Sequence, residues 1–502
     1  MLDTRPNILF CQADQLSASA LRAYGNQVTK TSNIDRLFDQ GVVFDNAYCN
    51  NPLCVPSRAS MLTGLLGSSI DVYDNGSAFS SSTPTFVHYL RNQGYQTCLS
   101  GKMHFIGPDQ LHGFEERLTT DIYPSDFIWT EQWGDRNDLN ATALKAFEYV
   151  GPCSECRQLA YDDDASYRAE RKLYEIAMGD DNRPFFLTLS LSNPHEPYLA
   201  RKEFWDLYEN IDIDLPKVVD VPDDQQDYHS NNLNRIYGFD TLNLDKQQLK
   251  NIRRAYYANV SYIDNRIGSL LNVLEASGLA ENTIIIFTSD HGDMLGERGL
   301  WWKKHFFEDS SRVPLLIYAP DQFESKHVKK NVSLVDLYPT ILESAGIDLS
   351  SELASPIDGN SLMGLLNGED ETWSDTVYCE NFDGGTKAPM FMVRKGKFKY
   401  ISCSGQPALL YDIDEDPNEL NNLSGKTEFK EIEEALLAKV NKRWNTKKMT
   451  AHIIQTQQQR GFVHKALSKG THTGWDYVPA PDTFTSYRPK VQNYYGWFGN
   501  KV

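Results

Sequence analysis

Short, almost uninterrupted apolar runs recur along the chain, and each ends in a polar cluster. Asn7-Ile8-Leu9-Phe10-Cys11 is followed by Asp14-Gln15, and Tyr95 to Ser100 by Gly101-Lys102-Met103-His104. Pro184 to Leu191 leads to Asn193-Pro194-His195-Glu196-Pro197, and Thr283-Ile284-Ile285-Ile286-Phe287-Thr288 to Ser289-Asp290-His291-Gly292. Strands apolar on both sides are buried on both sides, as parallel strands of α/β sheets are. Val313 to Ala319 reads as another. Between these runs the spacing turns helical: Asn33 to Gln40, Phe86 to Gln93, Ser333 to Ala345, and a long helix from Asp245 to Ser277. The long helix carries Ile252, Tyr256, Ile263, Ile267, Leu270 and Leu274 on one face, with Gly278 as its stop. The pattern predicts an α/β fold with a large central sheet between helices.

Two stretches break the pattern. From Trp129 to about Asp181 the chain reads as polar and irregular, and Pro216 to Asn243 as a loop-rich insertion. Near Glu369 the composition shifts to short strands at Met390 to Arg394 and Phe398 to Ile401, then Leu410-Tyr411-Asp412, with a helix near Glu428 to Trp444. The expected division is a catalytic domain over 1–370, a small C-terminal subdomain over 371–449, and a tail over 450–502. That tail, aromatic-rich and turn-rich, is a candidate cover for the site or contact for a second subunit, hence for a homo-oligomer.

The 502 residues carry a formal net charge of −19. This argues against nucleic acid or an anionic membrane as partner, and an anionic substrate then needs a local cationic pocket. No apolar run is long enough to span a bilayer. No apolar h-region precedes the first strand, which places the protein in the cytoplasm if Met1 is the native start, and in the periplasm if a leader has been removed. The eight cysteines are scattered, which is sparse for a disulfide scaffold; Cys153-Ser154-Glu155-Cys156 has no partner pair at zinc-site spacing and reads as a loop feature.

The chemistry concentrates at Cys54-Val55-Pro56-Ser57-Arg58, followed by Leu62-Thr63-Gly64. Pro56 suits a first helical turn, so Cys54 and Arg58 sit at a helix N-terminus whose free N–H groups favour an anion. Asp14-Gln15 and Asp290-His291 end two buried strands. If those strands are neighbours, the four residues form a mostly oxygen-ligand set for a hard divalent cation. Lys102 and His104, two apart in an extended segment, point to the same side and could neutralise an anion and move a proton. By itself Asn75 is a turn residue.

The Cys54–Gly64 stretch resembles the type I sulfatase signature at every defined position, and Gln15 resembles the choline sulfatase and phosphonate monoester hydrolase branch. Gly107 to Leu118 and Asp121 to Trp129 are similar to choline sulfatases. The resemblance implies an alkaline-phosphatase-like fold with a small C-terminal antiparallel subdomain, and hydrolysis of an organic sulfate monoester. It implies that a formylglycine-generating maturation enzyme oxidises Cys54 to formylglycine, the nucleophile. It implies a divalent cation, calcium as a rule, on Asp14, Gln15, residue 54, Asp290 and His291; the imidazole leaves manganese open, and magnesium is a further candidate. Arg58, Lys102, His104, His195 and Lys303 take catalytic positions, and Asn75 faces the sulfate. Choline sulfatases carry a glutamate where this chain has Gly384, with Asp383 beside it; Trp129 supplies a cation–π face. The missing glutamate tilts the expected substrate toward a sulfated carbohydrate, with choline O-sulfate and a phosphonate or phosphodiester as alternatives. Residues 487–502 also depart from the choline sulfatase pattern.

Overall fold

The computed structural model describes residues 5–133, 143–219, 221–222 and 225–470. The apolar runs lie side by side. β1 (Asn7–Asp14) is sandwiched between β5 (Phe185–Pro194) and β6 (Thr283–Ser289) and is parallel to both. β3 (Gln96–Gly101) continues the parallel set beyond β5, with the short β4 (Glu116–Arg117) at its edge. On the other flank β7 (Leu315–Tyr318) runs antiparallel to both β6 and β2 (Val42–Tyr48), and β8 (Lys326–Ser333) closes the sheet parallel to β2. The strand anticipated over Val313 to Ala319 is broken: Arg312–Val313 pairs with β2 and the pairing with β6 begins at Leu315. Pro314 lies between them and has no N–H to give a ladder.

Alternate residues of β1 feed two cores. Leu9, Cys11 and Ala13 pack with α1 (Ser32–Gln40), α4 (Arg157–Met178) and α6 (Lys246–Ala276). Ile8 and Phe10 pack with α2 (Cys54–Thr63), α3 (Phe86–Asn92) and α7 (Leu337–Ser344). Each fully buried Ile, Leu or Phe contributes roughly 1.5–3 kcal/mol. α6 begins at a capping box between Asp245 and Gln248 and gives way to Gly278 at φ 69°, as its sequence anticipates. The antiparallel sheet of β9 (Thr376–Asn381), β10 (Met390–Lys395), β11 (Phe398–Cys403) and β12 (Leu409–Asp412) packs Phe391, Val393 and Tyr400 against Leu436 and Val440 of α8 (Lys430–Arg443). Buried Lys399 ties it to the large sheet, donating to Glu308 (2.6 Å), Glu419 (2.9 Å) and the Phe306 carbonyl (2.8 Å). Among the described residues no helix is long and apolar enough to cross a membrane.

Three segments are more ordered than the sequence suggests. α4 occupies much of the stretch read as irregular, and α5 (Tyr228–Tyr237) lies inside the supposed loop insertion. The buried face of α4 includes Gln158, Tyr161, Asp162 and Ser166 beside Leu159 and Leu173, so apolar periodicity misses it. The tail does not start as turns: α9 (Thr446–Leu467) is a 22-residue helix capped by Asn445. The rest of the tail beyond 470 lies outside the described residues.

Asp162 shows what a polar helix face does. Its carboxylate accepts from Ser192 N–H (2.7 Å) and hydroxyl (2.9 Å) and from Asn193 N–H (2.9 Å) and side-chain amide (2.7 Å), fixing the exit of β5. Burial raises its pKa to about 6 although these donors oppose the rise. With the folded pKa above the unfolded one, its stabilising effect is complete below the unfolded pKa and is lost as pH rises through about 6. Asp162→Ala is therefore expected to cost more stability near pH 5 than near pH 8, by roughly 1 kcal/mol. Urea unfolding of both proteins at the two pH values checks this; an equal deficit at both contradicts it.

Candidate active site

Because β1, β3, β5 and β6 are parallel, their C-terminal ends share one edge of the sheet, where open α/β sheets place ligands. Ala13 pairs with Ser289, so Asp14 and Asp290 emerge side by side. α2 points its N-terminus at them, and every residue of α2 is buried. Cys54 is its first residue and Arg58 follows one turn later on the same face. Ligand atoms of Asp14, Cys54, Asp290 and His291 all lie within 4.8 Å of one another.

His291 Nε2 is 3.2 Å from Cys54 Sγ and 3.8 Å from Asp290 Oδ2, while Nδ1 lies 3.0 Å from the Gly292 carbonyl. A carbonyl only accepts, so Nδ1 carries the proton and Nε2 turns its lone pair to the cluster. Burial lowers the His291 pKa, with Lys303 acting in the same sense. Two carboxylates, an imidazole nitrogen and residue 54 fit a divalent cation.

Arg58 holds the two carboxylates. It donates through Nε to Asp290 (2.8 Å) and through a terminal nitrogen to Asp14 (3.2 Å); the other terminal nitrogen reaches the Lys102 carbonyl (2.7 Å) and Ser190 (2.9 Å). Its guanidinium is 1% exposed, so it braces the acids and offers little to an incoming anion. Lys102 pairs with Asp14, lies 3.6 Å from Cys54 Sγ and sits over the Tyr123 ring at 4.1 Å. Burial works against the Asp14 charge, yet Lys102 and Arg58 hold its pKa well below the carboxylate range.

Gln15 stands beside this group with a different set of partners. Its Nε2 donates to Glu196 (2.8 Å) and Asp293 (2.7 Å), and its Oε1 accepts from Lys303. Lys303 also donates to His195 Nε2 (2.6 Å). Burial opposes the Lys303 charge, but Cys54, Glu196, Asp14 and Asp290 raise its pKa; His195 is driven well below the ordinary histidine value, first by burial and then by Lys303. The pair is thus an ammonium donating to a neutral imidazole.

Lys102 and His104 do converge on Cys54, but not as neighbours in an extended strand. β3 stops at Gly101, and His104 takes a left-handed φ of 59°. Its N–H and that of Met103 (2.9 Å) donate to Asp121. The His104 ring packs against Tyr123 (5.1 Å) and Trp129 (5.3 Å) and faces Cys54. Burial lowers its pKa, Lys102 adds to the effect, and Cys54 opposes it. Asn75 accepts from the Val55 N–H (3.0 Å), taking one of the free donors of the α2 N-terminus. Asp383 is not a free carboxylate: it accepts from Lys304 (2.7 Å).

Glu196, Asp293 and Tyr123 were not given roles by sequence reasoning. Glu196 follows His195 between two prolines, and Asp293 lies three residues after Asp290; that adjacency to chemistry-bearing residues was the available signal. Cys54→Ala is expected to abolish sulfate ester hydrolysis with little change in thermal midpoint. Arg58→Lys, which loses the fork geometry, is expected to lower kcat/KM by about 10²–10³. Sulfate release and thermal unfolding check both; near-normal turnover in either variant contradicts the assignment.

Residues 6–347 match the family model described as sulfatase, residues 296–446 that described as N-sulphoglucosamine sulphohydrolase, C-terminal, and residues 451–488 that described as choline sulfatase enzyme C terminal. Over 502 residues the chain is 40% identical to a choline-sulfatase of Rhizobium meliloti (strain 1021), covering 98% of this chain and 97% of that one. It is 29% identical to an N-acetylglucosamine-6-O-sulfatase of Bacteroides thetaiotaomicron over 482 residues, 86% of this chain and 85% of that one. Among solved structures, a phosphonate monoester hydrolase of Silicibacter pomeroyi aligns with a TM-score of 0.73 at 22% identity, over 88% of this chain and 95% of that one; this likeness speaks to fold.

Proposed function

The chain belongs to the sulfatase family and is a sulfuric ester hydrolase of alkaline-phosphatase-like fold; on that premise we propose that it hydrolyses a sulfate monoester of a neutral, hydroxyl-rich alcohol, a sulfated carbohydrate. The observation that carries the substrate class is the backbone at Gly384. Its φ is +76°, and a Cβ there would stand 2.8 Å from Leu233 Cδ2 of α5. The glutamate that the resemblance places there for a trimethylammonium group would be strained in this left-handed backbone and would have to displace the Leu233 side chain, and the neighbouring Asp383 is neutralised by Lys304. A cationic alcohol would meet an ammonium in place of a free carboxylate.

The proposed chemistry starts from conversion of Cys54 to formylglycine by a maturation enzyme. The hydrated aldehyde supplies a hydroxyl that attacks sulfur as the alcohol leaves. A divalent cation held by Asp14, Asp290, His291 and residue 54, with the Gln15 amide oxygen beside them, would polarise the sulfate; calcium suits the carboxylates and manganese or magnesium the mixed set. Arg58 keeps Asp14 and Asp290 ionised and in place. Lys102 and Lys303 offset charge on the sulfuryl oxygens. The Lys303–His195 pair is the proton source for the departing oxygen: the Lys303 ammonium holds the proton and shares it with His195 Nε2. His104, whose ring faces residue 54, then takes the proton of the remaining hydroxyl as the C–O bond to sulfate breaks, so that sulfate leaves and the aldehyde is restored.

A second reading, choline O-sulfate, has its own support: the 40% identity over nearly the whole chain, the match at residues 451–488, and the aromatic wall of Tyr123 and Trp129. Sulfate release from choline O-sulfate and from a panel of sulfated oligosaccharides, run side by side with matured protein, separates the two. Release from an oligosaccharide is expected. Turnover of choline O-sulfate alone overturns the carbohydrate reading, and mass spectrometry of the peptide carrying residue 54 reports whether the protein used was matured.

A further inference from the structure

α9 lies outside both sheets, yet its polar face reaches the rim of the cleft. Arg460, 9% exposed, forks onto Asp74, which is fully buried: one terminal nitrogen donates to Oδ1 and the other to Oδ2 at 3.0 Å. The same carboxylate accepts from Gly76 N–H (3.0 Å), the Ser77 hydroxyl (3.0 Å) and Glu131 N–H (3.1 Å). Asp74 therefore joins two rim segments. One is the turn carrying Asn75, whose side chain binds the Val55 N–H beside Cys54. The other is the loop carrying Trp129, which packs on His104. The two are pressed together, since a Cβ at Gly76 would stand 2.4 Å from the Thr130 nitrogen. One turn of α9 earlier, Gln457 accepts from Trp133 N–H (3.1 Å), four residues after Trp129.

We propose that Arg460 is a positioning residue for substrate binding: through Asp74 it sets Asn75 and Trp129 relative to Cys54. This rests on the reading of the Cys54 cleft as the site. Three neutral donors from two segments orient the carboxylate but leave its buried charge without a counterion. A bidentate guanidinium supplies one, and its fork matches both oxygens at once. Lysine, a point charge, restores neutrality but not the plane.

The test uses the full chain with Arg460→Ala, Arg460→Lys and, as a control on the same helix, His452→Ala, which removes an exposed contact to Asp71. Amide hydrogen exchange is followed in residues 74–79 and 127–133, and kinetics with 4-nitrophenyl sulfate. Exchange is expected to accelerate in both segments in Arg460→Ala, with KM raised by about tenfold or more and kcat within about threefold. Millimolar guanidinium ion is expected to recover KM in that variant; Arg460→Lys is expected to stay impaired, and His452→Ala to match the wild type. Unchanged exchange in the two segments overturns the proposal, as does faster exchange with unaltered KM or a loss confined to kcat. The exchange result stands even if the carbohydrate reading fails, since it needs no substrate.

Discussion

Asp14 and Asp290 leave adjacent parallel strands side by side and fully buried, so like charges meet where water cannot screen them. An arrangement of this kind persists only if cations are delivered to the same point. Arg58 comes from α2, Lys102 from the end of β3 and Lys303 from the loop after β6. Three separate crossovers thus have to end at one edge of the sheet. The parallel order of β6, β1, β5 and β3 is what allows it, and the complete burial of α2 follows from the need to carry a guanidinium to the strand ends.

That same helix sets the geometry of the nucleophile. Cys54 and Arg58 are one turn apart on α2, so the sulfur and the brace move as a unit. The rim is built differently. Asn75, Trp129 and Lys304 come from turns and loops, and their positions depend on contacts from α5, α9 and the small sheet. The floor of the cleft is therefore fixed by strand register and a buried helix, whereas the rim is assembled from turns and loops that several other elements hold in place.

The division explains what the sequence made legible. Buried strands, the polar clusters at their ends, and the long α6 with its capping residue were readable because apolar periodicity and cap chemistry are local signals. The quartet of Asp14, Cys54, Asp290 and His291 followed once two strands were neighbours. α4 was not readable, since its buried face is half polar and its hydrogen bonds go to the β5 exit, far off in sequence. Arg460 was hidden for the same reason: its partner is 386 residues away. The pairing of Asp383 was hidden likewise, since Lys304 reaches it from 79 residues away.

Gln15 couples two buried acids to a lysine. Its amide nitrogen is the shared donor between Glu196 and Asp293, and both acids have pKa values raised by burial. A carboxylate at position 15 would bring a third acceptor to a place that has acceptors already. The three positions therefore form a linked set: exchanging the Gln15 amide for a carboxylate would remove the donor that Glu196 and Asp293 share and leave Lys303 as the cation nearest to three acids.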